Sequence, residues 1–247
     1  MVDLRTTAAV EDEWWRRAGR GRRATATSDH PPRLDRMLDF VVAGLSANSV
    51  PYIEGLDLQR AVHRAVVAGE RPDTVILLEH PSVYTAGKRT APDERPTDGT
   101  PVVDVDRGGK ITWHGPGQLV GYPILRLAEP IDVVGYVRRL EAILIDVLHD
   151  LGVDGRRVDG RSGVWVGRPG AENKIAAIGI RVADGVTMHG FALNCSNSLE
   201  PYEKIVACGI RDAGVTTVTR ELGYDVTPED LVAPISQRFL AEAAVAA

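Results

Sequence analysis

The sequence predicts an α+β fold in which mixed, largely antiparallel sheets are flanked by helices. The segment 132–151 has the apolar periodicity of a long helix. The apolar segments 174–182 and 186–193 are separated by Asp184-Gly185, a dipeptide that favours a tight β-hairpin. The chain has 247 residues, 44% of them hydrophobic, so it can bury a substantial core. We therefore expect a single domain.

Residues 1–33 differ in composition from the rest of the chain. They are rich in Arg, Thr, Ala and Pro and show the periodicity of neither helix nor strand, so we expect a flexible extension before a domain that spans 34–247. The extension carries seven arginines against five acidic residues. Because the net charge of the whole chain is −5, the other 214 residues carry −7. This balance argues against nucleic-acid binding, and an acidic protein partner would need a local basic patch.

The first half of the domain alternates short elements with polar loops. Apolar spacing predicts a helix over 56–68 and a buried strand over 74–78. Further strands are predicted over 101–105 and 119–125. Between them lies the glycine-dense stretch 107–118, RGGKITWHGPGQ, which we interpret as a loop.

The second half contains the most regular patterns. Apolar residues of the predicted helix 132–151 recur at three- and four-residue steps, so this helix should pack one face on a sheet. Four charged residues are expected to face away from it: Arg138, Arg139, Glu141 and Asp150. A strand is expected at 164–166. A last helix should begin after Thr227, a capping residue followed by proline and two acids.

Composition also bounds the location and the ligands. The two cysteines and the lack of a secretory signal argue against a disulfide framework. No apolar run approaches the roughly 20 residues of a membrane span. The six histidines are dispersed, and neither cysteine belongs to a ligand-spaced pair. We expect a soluble cytoplasmic protein that binds no membrane, no metal and no cofactor.

Lys174 is the first candidate for chemistry. Regular alternation in a strand would place it on the same face as Ala176 and Ile178. An amine at the end of an apolar row is partly desolvated, which makes it a better proton acceptor. The alternative is that Lys174, at the start of the strand, extends to water.

Cys208 is the second candidate. It precedes Gly209, so neighbouring backbone amides could bind an oxyanion, and a thiol becomes a nucleophile when a nearby base or cation lowers its pKa. A cysteine can equally be an inert buried hydrophobe. Cys195 fits that interpretation better, because no activating loop surrounds it.

The glycine-dense stretch has the wrong order of Gly, Lys and Ser/Thr for a Walker-type phosphate site. Its glycines allow the backbone to approach a ligand closely, and Thr112 and His114 offer polar contacts. His114 can equally be a structural histidine. Gly179, Gly190 and Ala192 lie on adjacent predicted strands, where small residues leave either a slot for a linear acyl chain or room for tight packing.

Four blocks of the sequence resemble, in order, the lipoyl(octanoyl) transferase family. They are HPSVYTAG at 80–87, RGGKITWHGPGQ at 107–118, KIAAIGIRV at 174–182 with HGFALN at 189–194, and CGI at 208–210. The resemblance implies the cofactor-transferase fold of biotin and lipoate protein ligases. It also implies that octanoate moves from acyl carrier protein to a lipoyl-domain lysine, with Cys208 as the thioester nucleophile and Lys174 as its activating partner.

The resemblance assigns substrate contacts to three stretches. They are Arg107, Gly108, Gly109, Lys110, Ile111, Thr112, Trp113 and His114; Ala177, Ile178 and Gly179; and His189, Gly190 and Phe191. The family usually has proline before the nucleophile, where this chain has Ala207; the exchange frees the backbone without removing a reacting atom. The implied acceptors are lipoyl domains of 2-oxoacid dehydrogenase complexes and the glycine cleavage H protein. We expect a monomer.

Two other functions are compatible with these residues. One is an ATP-dependent lipoate or biotin ligase, which forms an acyl-adenylate and needs no cysteine nucleophile. The other is a binding module for acyl carriers or lipoyl domains that has lost turnover. Activity with nucleotide after a Cys208→Ser exchange would indicate the first, and tight binding without a covalent adduct the second.

Overall fold

The computed structural model describes residues 38–97, 99–206, 209–210 and 212–245. Within them the strands are β1 (Leu38–Gly44), β2 (Asp73–Leu78), β3 (Val83–Ala86), β4 (Val102–Asp104), β5 (Thr112–His114), β6 (Gln118–Ile124), β7 (Arg156–Val158), β8 (Arg161–Val166), β9 (Asn173–Ala183), β10 (Val186–Asn194) and β11 (Gly214–Val215). The helices are α1 (Tyr52–Val67), α2 (Val133–Asp150), α3 (Val218–Leu222) and α4 (Pro228–Val245). The predicted extension 1–33 and the start of the predicted domain lie outside the described residues.

The strands form two sheets. In the large sheet the order is β1-β2-β6-β10-β9-β8-β7, and β11 pairs with β9. Only the β1–β2 and β11–β9 pairs of this sheet are parallel within the described residues. The small sheet has the order β4-β3-β5. The predicted α+β class with mixed, largely antiparallel sheets is therefore confirmed.

The long predicted elements are present, with boundaries that shift by a few residues. The strands β9 and β10 are joined at Asp184 and Gly185, which both have positive φ, as a two-residue hairpin turn requires. The helix α1 begins at Tyr52, four residues before its predicted start. The glycine-dense stretch is not entirely a loop, because Thr112–His114 forms β5 and pairs with β3.

One face of the large sheet packs on α2 and α4. Leu140 and Leu144 of α2 and Ile235 of α4 are almost completely buried in this core. The prediction that Glu141 faces away from the sheet is wrong, since its side chain is fully buried. Its Oε1 accepts the Gly163 backbone N–H at 3.0 Å. The helix therefore also holds the start of β8 in place through a carboxylate.

The other face of the large sheet packs on α1. Val62 and Val66 of this helix contact a second core that includes Val120, Ile124 and Met188. The small sheet lies beside α1 on this face, where Val103 packs in one cluster with Tyr52. The Gly108 N–H, four residues before β5, donates to the Ile180 carbonyl of β9 at 2.9 Å. A cavity remains between the small sheet and the large one.

Candidate active site

The cavity has a volume of about 230 Å³ and is lined by both sheets. The large sheet contributes the middle of β6, β9 and β10, and the glycine-dense stretch forms the facing wall. Arg89, Arg107, Lys110, Arg161 and Lys174 line this space, and within the described part of the chain no Asp or Glu does. Two of these cations are paired with acids beside the cavity, Lys110 with Glu94 and Arg161 with Asp212, so the positive charge of the lining is partly balanced.

Lys174 lies in the wall of this cavity with 6% of its surface exposed. Its Nζ is 4.6 Å from the centre of the Trp165 ring, on the neighbouring strand. The face of an indole attracts a cation. The predicted alternative, in which Lys174 extends to bulk water, does not describe its position.

A β-bulge places Lys174 on the cavity face. Trp165 pairs with Lys174 and Val164 with Ala176, so β9 has one residue more than β8 at this point. Ile175 and Ala176 consequently both pack in the α2–α4 core. The expectation that Lys174 shares a face with Ala176 is therefore wrong, and Lys174 instead lines the cavity with Ala177.

Cys208 and Ala207 lie outside the described residues, so their predicted roles stay predictions. The flanking residues approach the cavity. Ile210 lines it, and a Cβ on Gly209 would lie 2.1 Å from Cδ of Lys110. The Gly209 N–H donates to the Val206 carbonyl at 2.8 Å, so this amide is already used and would have to be released to bind an oxyanion.

Cys195, the other cysteine, is completely buried. Burial raises the pKa of its thiol, and its Sγ lies 3.4 Å from the Leu193 carbonyl. A thiol that stays protonated and inaccessible is a poor nucleophile. Its interpretation as a core residue is supported.

Arg107 holds the glycine-dense stretch together. Its Nη2 donates to both the carbonyl and Oγ1 of Thr85, each at 2.9 Å. Its Nη1 donates to the carbonyls of Gly108 at 3.1 Å and Lys110 at 2.9 Å. Arg107 lines the cavity, but its guanidinium already makes these four hydrogen bonds. They fix the conformation of the loop.

The rest of this predicted stretch divides by strand alternation. Gly109, Lys110, Thr112 and His114 line the cavity, as Arg107 does. Ile111 and Trp113 point the other way, into a small core with Tyr84 and Tyr202. Gly108 does not line the cavity either, and its N–H donates to the Ile180 carbonyl. Three of the eight predicted contacts therefore have a packing or structural role in this structure.

The two other predicted stretches border the cavity: Ala177, Ile178 and Gly179 from β9, and His189, Gly190 and Phe191 from β10. His189 has a φ of 57°, and its Nε2–H donates to Asp106 Oδ1 at 3.0 Å. Its backbone N–H donates to Gln59 Oε1 at 2.9 Å. These contacts tie the β10 edge of the cavity to α1 and to the segment before the glycines.

An aromatic cluster that the sequence analysis missed closes one end of the cavity. It consists of Tyr52, His80, His114 and Tyr122. His80 Nδ1–H donates to the Val50 carbonyl at 2.6 Å, so its Nε2 accepts from the Tyr122 hydroxyl, also at 2.6 Å. The four residues come from separate segments, and only folding brings them together.

His114 belongs both to this cluster and to a buried polar network. Its Nδ1–H donates to Gln118 Oε1 at 2.8 Å, and the Gln118 amide nitrogen donates to Asn194 and Tyr202, each at 2.9 Å. His114 is therefore both a hydrogen-bonded structural histidine, as the alternative interpretation had it, and a residue that lines the cavity. Such networks stiffen a wall because every member is paired.

We expect acid to destabilise the protein through its buried histidines. Burial lowers the pKa of His80 to about 4, and burial, with the nearby His80 and Arg107, lowers that of His114 to about 3. The unfolded chain binds these protons from pH 6.5 downward, so acidification favours unfolding. Between pH 7 and pH 5 the free energy of unfolding should fall by about 2 kcal/mol per histidine.

Urea unfolding at pH 7, 6 and 5 measures this fall. A His80→Asn variant should show a smaller decrease in the free energy of unfolding between pH 7 and pH 5, by the amount that one histidine contributes. Equal unfolding free energies at pH 7 and pH 5 would contradict the assignment.

A second feature missed in the sequence is the β7–β8 hairpin at the Lys174 end of the cavity. Arg161 lines the cavity, its Cζ lies 5.7 Å from the centre of the Trp165 ring, and its Nη2 donates to Asp212 at 2.6 Å. Asp212 follows Cys208 by four residues. The ion pair thus ties the chain just beyond the predicted nucleophile to the strand that carries Trp165.

The described residues provide no group of three His, Cys, Asp or Glu side chains that could hold a metal ion. Nor does any helix among them combine the length and apolar character needed to cross a bilayer.

Residues 51–240 match the family described as lipoyl protein ligase A/B catalytic domain. An octanoyltransferase of Clavibacter sepedonicus is 69% identical over 202 residues, which are 79% of this chain and 87% of the relative. One of Leifsonia xyli subsp. xyli is 65% identical over 214 residues, 84% and 96% of the two chains.

A crystal structure of lipoate-protein ligase A bound with ATP has a similar fold. Its TM-score is 0.66 at 16% identity, and the match covers 84% of this chain and 85% of that one. At this identity the similarity concerns the fold alone. It confirms the predicted ligase-like architecture.

Proposed function

Because this chain belongs to the octanoyltransferases of the lipoyl protein ligase A/B catalytic family, we propose that it transfers octanoyl through a thioester on Cys208. The donor is octanoyl-acyl carrier protein and the acceptor is a lipoyl-domain lysine. One observation carries the proposal: Lys174 is buried in the wall of a cavity that Ile210, two residues after Cys208, also lines.

In the first step the Lys174 amine takes the proton of the Cys208 thiol. The thiolate attacks the carbonyl carbon of the donor thioester, and the bond from that carbon to the carrier sulfur breaks. The departing thiolate takes a proton from Lys174. While Lys174 is an ammonium, the Trp165 ring 4.6 Å away stabilises it by about 0.5–2 kcal/mol.

In the second step the neutral amine of the acceptor lysine attacks the octanoyl thioester on Cys208. A carbon–nitrogen bond forms, the bond to sulfur breaks, and the nitrogen releases one proton, which Lys174 passes to the leaving thiolate. The first exchange replaces one thioester by another, and the second forms a more stable amide, so the sequence of steps requires no ATP.

The charge of the cavity supports an acidic donor. Arg89 is exposed at the cavity, and Arg161 lines it while paired with Asp212, whereas the chain as a whole is acidic. A local positive field attracts an acidic carrier protein and speeds its association. Lipoyl domains of 2-oxoacid dehydrogenase complexes and the glycine cleavage H protein are the proposed acceptors, and a cytoplasmic monomer is the proposed form.

Intact-mass analysis after incubation with octanoyl-acyl carrier protein, without nucleotide, tests the proposal. We expect one octanoyl adduct on the unmodified enzyme and none on Cys208→Ala. The Cys195→Ala variant is the matched control and should still form the adduct. Adduct on Cys208→Ala, or octanoyl transfer only when ATP is present, would contradict the thioester mechanism.

A further inference from the structure

The cavity floor is formed by two rows of side chains that run across three strands. Ala192 of β10 pairs with Ala177 of β9 on one side and with Val120 of β6 on the other. In the second row Gly190 pairs with Gly179. Tyr122, two residues after Val120, points to the same face and lines the cavity. Each row is small on β9 and β10 and large on β6.

This pattern makes a shallow channel that ends at β6. Ala177 lies on β9, and one strand separates β9 from β6, so the channel is about 10 Å long from Ala177 across the sheet to the wall. Lys174 lies three residues before Ala177 on β9. Ala177 and Ala192 leave room above β9 and β10, while Val120 and Tyr122 fill it on β6. The space beside Gly179 and Gly190 is already occupied by Arg107 and by the β6 backbone. Val120 is 1% exposed and Tyr122 4%.

The wall at β6 is held rigidly. The Tyr122 hydroxyl donates to His80 Nε2 at 2.6 Å, and His80 is in turn fixed to the Val50 carbonyl. A Cβ on Gly55 of α1 would lie only 2.8 Å from His80 Cε1, so the helix packs directly against the imidazole. The Tyr122 ring is therefore held between the sheet and α1.

Thr112 gives a second, independent indication that this channel receives a ligand. It lines the cavity from the facing sheet, is 5% exposed, and its Oγ1 has no hydrogen-bond partner among the residues that the structure describes. Buried hydroxyls are normally paired, because an unpaired one costs about 1–3 kcal/mol. An unpaired hydroxyl that faces a cavity is typical of a binding site.

We propose that Val120 and Tyr122 form the end wall of the acyl channel and set the length of the straight acyl chain that the enzyme transfers. The inference rests on the proposed function, in which the acyl carbonyl is held near Lys174. The chain then extends over Ala177 and Ala192 toward β6. Chains longer than octanoyl meet the wall, and shorter ones leave apolar surface uncovered.

A competition experiment tests the wall. Equal concentrations of hexanoyl-, octanoyl-, decanoyl- and dodecanoyl-acyl carrier protein are supplied with a lipoyl domain, and the mass of the acylated domain is measured. Val120→Ala should raise the ratio of decanoyl to octanoyl product by about tenfold, the usual discrimination for a methylene in an apolar pocket. Tyr122→Leu should shift the ratio in the same direction, and Ala192→Val toward hexanoyl.

Val164→Ala is the matched control, because Val164 is fully buried on the opposite face of the same sheet and packs in the α2–α4 core. It should leave the product ratio unchanged. The inference is overturned if Val120→Ala and Ala192→Val give the product ratio of the unmodified enzyme, or if Val164→Ala shifts it equally. The competition experiment measures the acylated lipoyl domain, whereas the thioester mechanism is tested by the adduct on Cys208. A failure of the chain-length inference can therefore be distinguished from a failure of the thioester mechanism.

Discussion

Replacing Lys174 by methionine is expected to slow octanoyl loading of Cys208 by about 10²- to 10⁴-fold, the usual contribution of a positioned general base. Methionine keeps the length and the apolar stem of lysine, so packing against Trp165 is largely preserved while the proton acceptor is lost. Quenched-flow sampling with intact-mass detection measures the loading rate. The Arg64→Met variant, which removes an exposed cation from α1, is the control and should load at the normal rate.

A Lys174→Arg variant separates proton transfer from simple positive charge. A guanidinium stays protonated, so it cannot take the thiol proton, although it retains the charge and can lie over the Trp165 ring. We expect this variant to be as slow as Lys174→Met. Normal loading by Lys174→Arg would show that the site needs a cation rather than a base.

The Gly190→Ala exchange is expected to lower the free energy of unfolding by about 3 kcal/mol or more, which corresponds to a fall in melting temperature of about 10 °C. A Cβ at this position would lie 2.3 Å from the Gly121 carbonyl oxygen and 2.5 Å from Cδ of Pro123. Both atoms belong to the neighbouring strand β6, which cannot move without disturbing its pairing with β2. Thermal and urea unfolding measure the loss.

Gly108→Ala is the matched control for this exchange. A Cβ there has one neighbour, the Ile180 carbonyl oxygen, at an ordinary contact distance of 3.4 Å. We expect a change of less than about 0.5 kcal/mol. Equal free energies of unfolding for the two variants would contradict the close contact between β10 and β6 at Gly190.

Gly190 illustrates how one small residue can serve two purposes. The sequence left open whether the glycines of β9 and β10 make room for an acyl chain or permit tight packing. Gly190 lines the cavity, and the backbone of β6 lies so close to it that a Cβ would clash. The close strand contact is the stronger constraint, because it holds whether or not a ligand is bound.

Local patterns were sufficient for the main elements. The helix α2 and the hairpin of β9 and β10 depend on periodicity and on the Asp184-Gly185 turn, which are properties of neighbouring residues. The same patterns misplaced Glu141, because a charged residue was assumed to face water. Its buried carboxylate accepts hydrogen bonds from the Gly163 amide and from Arg157, which lie 22 and 16 residues later in the chain. Only its third partner, Arg138, lies at the local i,i+3 spacing of a helix.

The chain's own order of residues thus determined the α+β class, the candidate lysine and thiol, and the glycine-dense stretch. Only the tertiary structure decided which of the described side chains line the cavity. One extra residue at Ile175 turns Lys174 toward the cavity, and the wall of Tyr122 exists because His80, 42 residues away, accepts its hydroxyl proton in a hydrogen bond. Periodicity reports the environment of a residue averaged along its element, whereas a bulge or a buried hydrogen bond depends on what folding brings opposite it.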